Sequence, residues 1–465
     1  MDEIQKQIQN VEKAIIHEGK MLTRAQKREI NLIKSKLNYK KINRATRILG
    51  PGLITGAADD DPSGIATYSQ AGAAYGFGLL WLFPLMYPLL LAVQETCARI
   101  GAVTGDGLAA VLKKHYSKKL LYTSVFFVVI ANVVNIGADF GAMAAAAKLL
   151  VPLPFSLLAI IFASLIVVLQ IFVPYKHYAK VLKWLALALF AYPITAFLIG
   201  VPWSEVLVKT FRPDIQMNAE MIYLIVGLLG TTISPYLFFW DTSETVEDEV
   251  ESKRIATSSG NGTPKITQRF MRKIKLDNFI GMTLASVTAW FIVVTCASVL
   301  FSHGITNIET AADAAKALEP LVQGFPHAGT LAKLLFSVGI IGIGLLAVPV
   351  LAGSSSYAIS EAFGWKEGLY RKFSKAKQFY GVIILATLVG LAMNFLRLDP
   401  IKALLFAAVF NGISSIPLLW MIARIGRNEE IMGEYKNSTL STIGIYGALL
   451  VMTVGGIVLL WSLFV

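Results

Sequence analysis

Apolar residues along this chain gather in long runs. About eleven stretches reach the roughly 20 residues that a helix needs to cross a bilayer. They fall near 46–74, 77–103, 122–149, 154–173, 181–200, 219–248, 277–301, 329–357, 378–396, 401–423 and 439–464. The pattern predicts an all-α integral membrane protein, with one polytopic domain over 45–465. Two runs are interrupted by helix breakers. Asp59-Asp60-Asp61-Pro62-Ser63-Gly64 cuts the first span, and Gly230-Thr231-Thr232-Ile233-Ser234-Pro235-Tyr236 cuts the sixth. Broken helices at matching places in two halves point to an inverted-repeat transporter whose site lies near the membrane midplane.

Composition agrees with this reading. Of 465 residues, 55% are hydrophobic and only 15% charged, and the mean hydropathy is +0.61. The net charge of +12 is a topology signal, because cytoplasmic loops collect Lys and Arg. With the N-terminus inside, 34 of the 42 basic residues fall on the cytoplasmic side, which predicts an outward C-terminus. Nucleic acid need not be invoked, and the expected location is the plasma membrane. Residues 1–44 form a basic cytoplasmic tail with Ile15, Leu22, Ile30, Ile33 and Leu37 at loose helical intervals. It reads either as an amphipathic helix on anionic lipid or as a solvated helix. It lacks the apolar core and cleavage site of a removable signal peptide.

Cys97 and Cys296 each sit inside a predicted span and read as buried small hydrophobes, with no disulfide or metal spacing. His17, His115, His177, His303 and His327 fall in the tail, in loops or at helix ends. Ser258 to Thr263 reads as a flexible linker. There is no nucleophile with a base, no phosphate-cradling glycine loop and no His/Cys cluster, so neither an enzyme nor a bound cofactor is expected. No obligatory protein partner is expected either.

The acids of the first break carry the chemistry. One Asp at the centre of a membrane helix costs about 2.5–3.5 kcal/mol on insertion scales, so three must face a polar cavity, and a cation is its natural occupant.

Gly50-Pro51-Gly52, Asp61-Pro62 and Ile65-Ala66-Thr67 together resemble the first helix of the Nramp divalent-metal transporters, whose usual motif is Asp-Pro-Gly-Asn. The likeness continues through Ala98-Arg99-Ile100-Gly101, Val103-Thr104-Gly105, Asp139, Ala352-Gly353 and Glu361-Ala362-Phe363. The resemblance implies a LeuT-like fold of about 11 transmembrane helices. Spans 1–5 (about 45–200) and 6–10 (about 218–423) would be inverted five-helix repeats, with an extra helix near 439–464, and metal would be held between the breaks. Against the family pattern, Asn becomes Gly64, the helix 6 Met becomes Ser234, and its two histidines become Tyr236 and Asp241. The acid three places beyond Asp139 becomes Ala142.

Loss of the thioether favours hard ions such as Mg2+ and Mn2+. Two truncated ligands predict a wider cavity that suits a largely hydrated ion. Loss of histidine weakens the case for proton coupling, since tyrosine does not titrate near neutral pH. These changes resemble the Nramp-related magnesium transporters. On this reading Asp61 is the inner-sphere ligand, Asp60 a second or outer acceptor, and Asp59 with Ser63 part of the aqueous path. Thr231, Thr232, Ser234 and the Gly64 position complete the metal site, unless the small polar residues merely pack helices.

Downstream on span 6, Asp241, Glu244 and Asp248 are read as one helical stripe. This is either a solvated helix end or the wall of a cation exit, with Trp240 closing the site from below or anchoring packing. Glu95 is read as structural, paired with Arg99 one turn away, and Asp139 as a member of the path. The expected function is uptake of largely hydrated Mg2+ or Mn2+ by alternating access, weakly or not proton-coupled. Alternatives are a proton-coupled Mn2+/Fe2+ symporter, an amino-acid transporter of the same fold, whose carboxylate substrate the acids would repel, and a non-transporting metal sensor.

Overall fold

The computed structural model describes residues 51–173, 187–213, 218–251, 266–324, 327–396 and 399–462. The predicted tail at 1–44, the linker Ser258 to Thr263, His17 and His177 lie outside these residues. Within them every regular element is helical. The first span is two helices, α1 (Pro51–Asp59) and α2 (Pro62–Tyr75). Then follow α3 (Leu82–Thr104), the short α4 (Leu108–His115), α5 (Lys118–Lys148), α6 (Phe155–Phe172), α7 (Ala191–Leu198) and α8 (Trp203–Phe211). The sixth span is also two helices, α9 (Ala219–Thr232) and α10 (Pro235–Glu251). After it come α11 (Gln268–Val299), the short α12 (Ala311–Lys316) and α13 (Glu319–Val322), and α14 (Ala328–Phe363). The chain continues through α15 (Lys377–Met393), α16 (Pro400–Arg427), α17 (Glu429–Met432) and α18 (Thr439–Ser462).

Eight stretches of helix among the described residues are both long and apolar enough to span a bilayer. The other three expected spans differ for identifiable reasons. Span 1 is split, span 2 (α3) carries Gln94, Glu95 and Arg99, and span 5 begins in residues outside the description. The predicted start of span 7 at 277 is nine residues late, because α11 opens on a charged turn containing Arg269, Arg272 and Lys273 that hydropathy does not register.

Packing decides which spans can build a site. The most apolar stretch of the α9–α10 span is 89% buried, against 28% for α6 and α18 and 33% for α15. Span 6 therefore lies in the interior, and the others face outward with exposed residues such as Phe172, Leu385, Leu440 and Ile457. The contacts are two-fold in character: α1 and α2 pack along α11, α10 packs along α3, and α5 packs against α14. Exchanging the two five-span halves maps span 1 on span 7 onto span 6 on span 2, and span 3 on span 8 onto its own reverse.

Close approach depends on small residues. A Cβ on Gly52 would lie 2.8 Å from the Asn278 backbone nitrogen, and one on Gly56 would strike the Gly281 carbonyl, so α1 lies almost backbone to backbone on α11. Cys97 and Cys296 are buried free thiols, as the sequence predicts. Glu95 forms its ion pair with Arg99, and Lys275 stands 3.8 Å away.

Candidate functional site

The two breaks are built by local chemistry. Asp61 is the N-cap of α2, extended at φ −61° and ψ 171°, with Pro62 just inside the helix. An Asp cap followed by Pro is a strong helix start, since the carboxylate satisfies orphan amides and Pro has no N–H to lose. The α2 macrodipole also places its positive end at this carboxylate. At the second break the Ser234 hydroxyl donates to the carbonyls of Gly230 and Thr231, both at 2.8 Å, and so satisfies the open end of α9. Pro235 then starts α10.

Asp61 is 1% exposed and anchored by four donors. Its Oδ1 accepts from Ser63 Oγ at 2.6 Å and from the Gly64 amide at 2.8 Å. Its Oδ2 accepts from Asn135 Nδ2 at 2.7 Å. The Tyr236 hydroxyl lies 3.4 Å from Oδ2 but makes its shorter bond, 2.9 Å, to the Ala58 carbonyl. Oδ1 is thus saturated, and Oδ2 keeps one weakly held position.

Asn135 is the residue that sequence reasoning missed. It shares one face of α5 with Asn132 and Asp139, a polar stripe at helical spacing that was visible in the sequence. Asp139 is wholly buried, close to Asp61, and neither of its oxygens has a hydrogen-bond partner. One oxygen each of Asp59 and Asp60 is also buried without a partner. Among the described residues no Lys or Arg forms an ion pair with any of these four acids. The three acids of the break do not converge, and no set of three or more His, Cys, Asp and Glu side chains among the described residues is arranged to hold a metal. Asp60 instead lies toward Tyr68, whose hydroxyl is 3.3 Å from the Thr232 hydroxyl.

Two expectations need correction. Gly64 does not leave open space, because a Cβ there would meet Thr231 Oγ1 and the Tyr68 ring, both at 3.2 Å. Thr231 and Tyr68 have taken the room a longer side chain would use. Nor is the acidic end of α10 solvated or single-faced. Trp240, Glu244 and Glu247 turn toward α14, where Tyr357 packs on Trp240 and donates to Glu247. Asp241, Thr245 and Asp248 turn toward α11. The stripe of Asp241, Glu244 and Asp248 is therefore divided between two neighbours, because α10 is buried on nearly every side.

A cavity of about 640 Å³ runs from exposed Lys148 and Thr310, between α2, α5, α12 and α16, to Pro62, the residue after Asp61, and Asp61 itself does not line it. On the opposite side Tyr236, Trp240, Tyr357 and Phe379 are fully buried. Ring centroids 6.2 Å apart for Trp240–Tyr357 and 4.9 Å apart for Tyr357–Phe379 make a continuous plug. Trp240 presses on Gly353, where a Cβ would lie 2.7 Å from its ring. Farther along, Glu361 at the end of α14 accepts from the Ala109 amide at 2.8 Å and Ser243 Oγ at 2.8 Å, tying α4 to α10. The break is thus buried, with a cavity ending at Pro62 on one side and packed aromatic rings on the other.

Comparison with known proteins agrees with this geometry. The family model described as natural resistance-associated macrophage protein-like (Nramp) matches residues 52–462. A divalent metal cation transporter, MntH, from Caldanaerobacter subterraneus subsp. tengcongensis is 24% identical, over 91% of this chain and 95% of that protein. The manganese transporter of Eremococcus coleocola superposes with a TM-score of 0.68 at 16% identity, covering 89% of this chain and 87% of the other. MhsT, solved with L-phenylalanine, superposes with a TM-score of 0.57 at 12% identity, covering 89% and 97%. The last two likenesses speak to fold alone, and that fold is the LeuT-like one.

Proposed function

The chain belongs to the Nramp family, and from that premise we propose that it carries divalent metal cations across a membrane, taking up Mg2+ and Mn2+ with much of their water retained. The observation that carries this reading is the state of the Asp61 carboxylate. Oδ1 is filled by Ser63 and Gly64, so a cation meets one oxygen, Oδ2, by displacing the long Tyr236 contact. One carboxylate oxygen cannot replace a hydration shell, and Mg2+ in particular keeps several waters at about 2.1 Å. No thioether lies at the break, which favours hard ions over soft ones. Asp59 and Asp60 add negative charge that attracts the ion without closing a cage around it. Thr231, Thr232 and Ser234 reach it through water, since Thr232 faces Tyr68 and Ser234 is bonded to its own helix.

The open cavity faces the side carrying α12 and α13, which the basic-residue asymmetry places outside. Entry is driven by the inside-negative potential, worth about 2.3 kcal/mol per charge per 100 mV and twice that for a divalent ion. No second ion is then needed. The competing reading, a proton-coupled Mn2+ or Fe2+ symporter, would use Asp139 as the proton carrier; its support is a buried carboxylate close to Asp61 with no hydrogen-bond partner.

Uptake into proteoliposomes, with Mg2+, Mn2+ or Fe2+ outside and a pH dye inside, separates the two. Mg2+ entry without acidification, lost in Asp61→Ala, is the expected result. Entry confined to Mn2+ and Fe2+ with matching proton influx overturns it in favour of symport.

A further inference from the structure

The aromatic plug belongs to a seam between α10 and α14, and two faces of α10 are packed differently. Toward α3 it lies almost backbone to backbone: a Cβ on Gly101 would strike the Thr242 carbonyl, and the Thr242 hydroxyl donates to the Cys97 carbonyl at 3.1 Å. Toward α14 it is held through side chains. Ser354 Oγ donates to the Tyr236 carbonyl at 2.7 Å, the Tyr357 hydroxyl donates to Glu247, and Ser243 Oγ donates to Glu361 Oε1 at 2.8 Å. Glu361 and Ser243 are both buried. The other Glu361 oxygen, Oε2, accepts from the Ala109 and Ala110 amides at 2.8 Å and 3.3 Å, so this carboxylate joins α14 to α4 and to α10 at once. Gly107 makes room for it, since a Cβ there would collide with the carboxylate.

We propose that the Glu361 carboxylate is a latch that keeps α10 on α14, and that its link to Ser243 breaks whenever an ion leaves past the aromatic plug. The inference rests on the transport reading above. An ion that passes Trp240 and Tyr357 needs α10 and α14 to part, because the two rings belong one to each helix. The α10 contact with α3 does not part with them, since close-packed backbones drawn slightly away from each other lose their contacts with nothing in exchange. The Ser243 link is different in kind. Water takes the place of a hydroxyl at a carboxylate oxygen, while Oε2 keeps the two α4 amides, which are otherwise orphan donors of a helix start. Glu361 therefore stays anchored when α10 swings away and is ready to accept Ser243 on its return. It is a positioning residue, acting through α10 and touching no ion.

The test is the rate at which N-ethylmaleimide labels the full chain carrying Ser354→Cys in nanodiscs, read at each cysteine by mass spectrometry, together with Mn2+ and Mg2+ uptake into proteoliposomes. Ser354 is wholly buried on the α10 side of α14. Two native thiols serve as references: Cys97 in the α3 contact and Cys296 beside Gly72 on α2, both wholly buried. Ser243→Ala, Glu361→Ala and Gly107→Ala are each expected to raise labelling at position 354 by about fivefold or more, as loss of one hydrogen bond implies. Cys97 and Cys296 are expected to keep their slow rates. Glu361→Gln is expected to label like the parent chain, because its amide can donate to Ser243 Oγ while its carbonyl accepts from α4. Unchanged labelling in Ser243→Ala overturns the latch, and metal uptake by the parent chain then leaves the transport reading standing. An equal rise at position 354, Cys97 and Cys296 also overturns it, since that reports general loosening. No uptake of either ion by the parent chain overturns the transport reading and the latch with it. Should Ser354→Cys not fold, hydrogen exchange over 235–251 decides: faster exchange in Ser243→Ala than in the wild type supports the latch, and equal exchange overturns it.

Discussion

Asn135 Nδ2 on α5 donates to Asp61 Oδ2 at 2.7 Å, joining the polar face of span 3 to the break in span 1. This bond aims the one oxygen that we assign to the cation. A hydrogen bond to a charged group contributes about 1.5–3 kcal/mol, and outer partners of metal ligands change affinity by about 10–100-fold. Asn135→Ala is therefore expected to raise KM for Mn2+ uptake within that range, and Asp61→Ala to abolish uptake. An unchanged KM in Asn135→Ala would remove Asn135 from the site.

Gly64 leads to a prediction about crowding. Restoring the usual family residue with Gly64→Asn drives a side chain into Thr231 Oγ1 and the Tyr68 ring, each 3.2 Å from the first atom it adds. Uptake is expected to fall in Gly64→Asn and to recover in part when Thr231→Ala removes one obstacle. Equal uptake in Gly64→Asn and the wild type would show that the space is open after all.

These two residues mark where sequence reading succeeds and where it stops. Asp61-Pro62 announces itself, because an acid followed by Pro inside an apolar run has few physical explanations. Asn135 is quieter: a lone Asn in a span is inexpensive, and only its register with Asn132 and Asp139 reveals a polar face. The space at Gly64 was misread because a missing side chain says nothing about which neighbour fills its place. The division of α10 was hidden for a related reason. Helical spacing groups Asp241 with Glu244, but a helix enclosed on several sides gives adjacent residues different partners. Asp277 and Asn278 lie where an apolar run begins, and hydropathy treats such residues as a boundary when they are in fact buried.

Glu361 is a structural clasp. Its carboxylate satisfies the Ala109 and Ala110 amides at the start of α4 and the Ser243 hydroxyl on α10. Each buried donor left unpaired costs about 1–3 kcal/mol. Glu361→Ala is expected to lower the apparent Tm of the purified protein by several degrees, and Glu361→Gln, which keeps one acceptor oxygen, to lower it less. Identical melting of Glu361→Ala and the wild type would mean that α4 is held by other contacts.

Glu367 gives a pH dependence with a definite sign. It lies in the connection after α14, outside the spans, and is 5% exposed. Burial, then the neighbouring charges of Glu361, Glu247 and Asp106, hold its carboxyl well above the usual range, with Arg371 opposing. The folded chain thus keeps a proton here that the unfolded chain releases. Stability from this group is complete below the ordinary glutamate pKa and declines as pH rises through the elevated folded value. Glu367→Gln removes the ionisation while preserving shape. It is expected to melt like the wild type near pH 4 and at a higher temperature near pH 8, with a flatter profile between. Melting followed by intrinsic fluorescence across that range is the measurement. A wild-type profile that runs parallel to that of Glu367→Gln at every pH would show that Glu367 ionises at its ordinary pKa and that its neighbours do not crowd it.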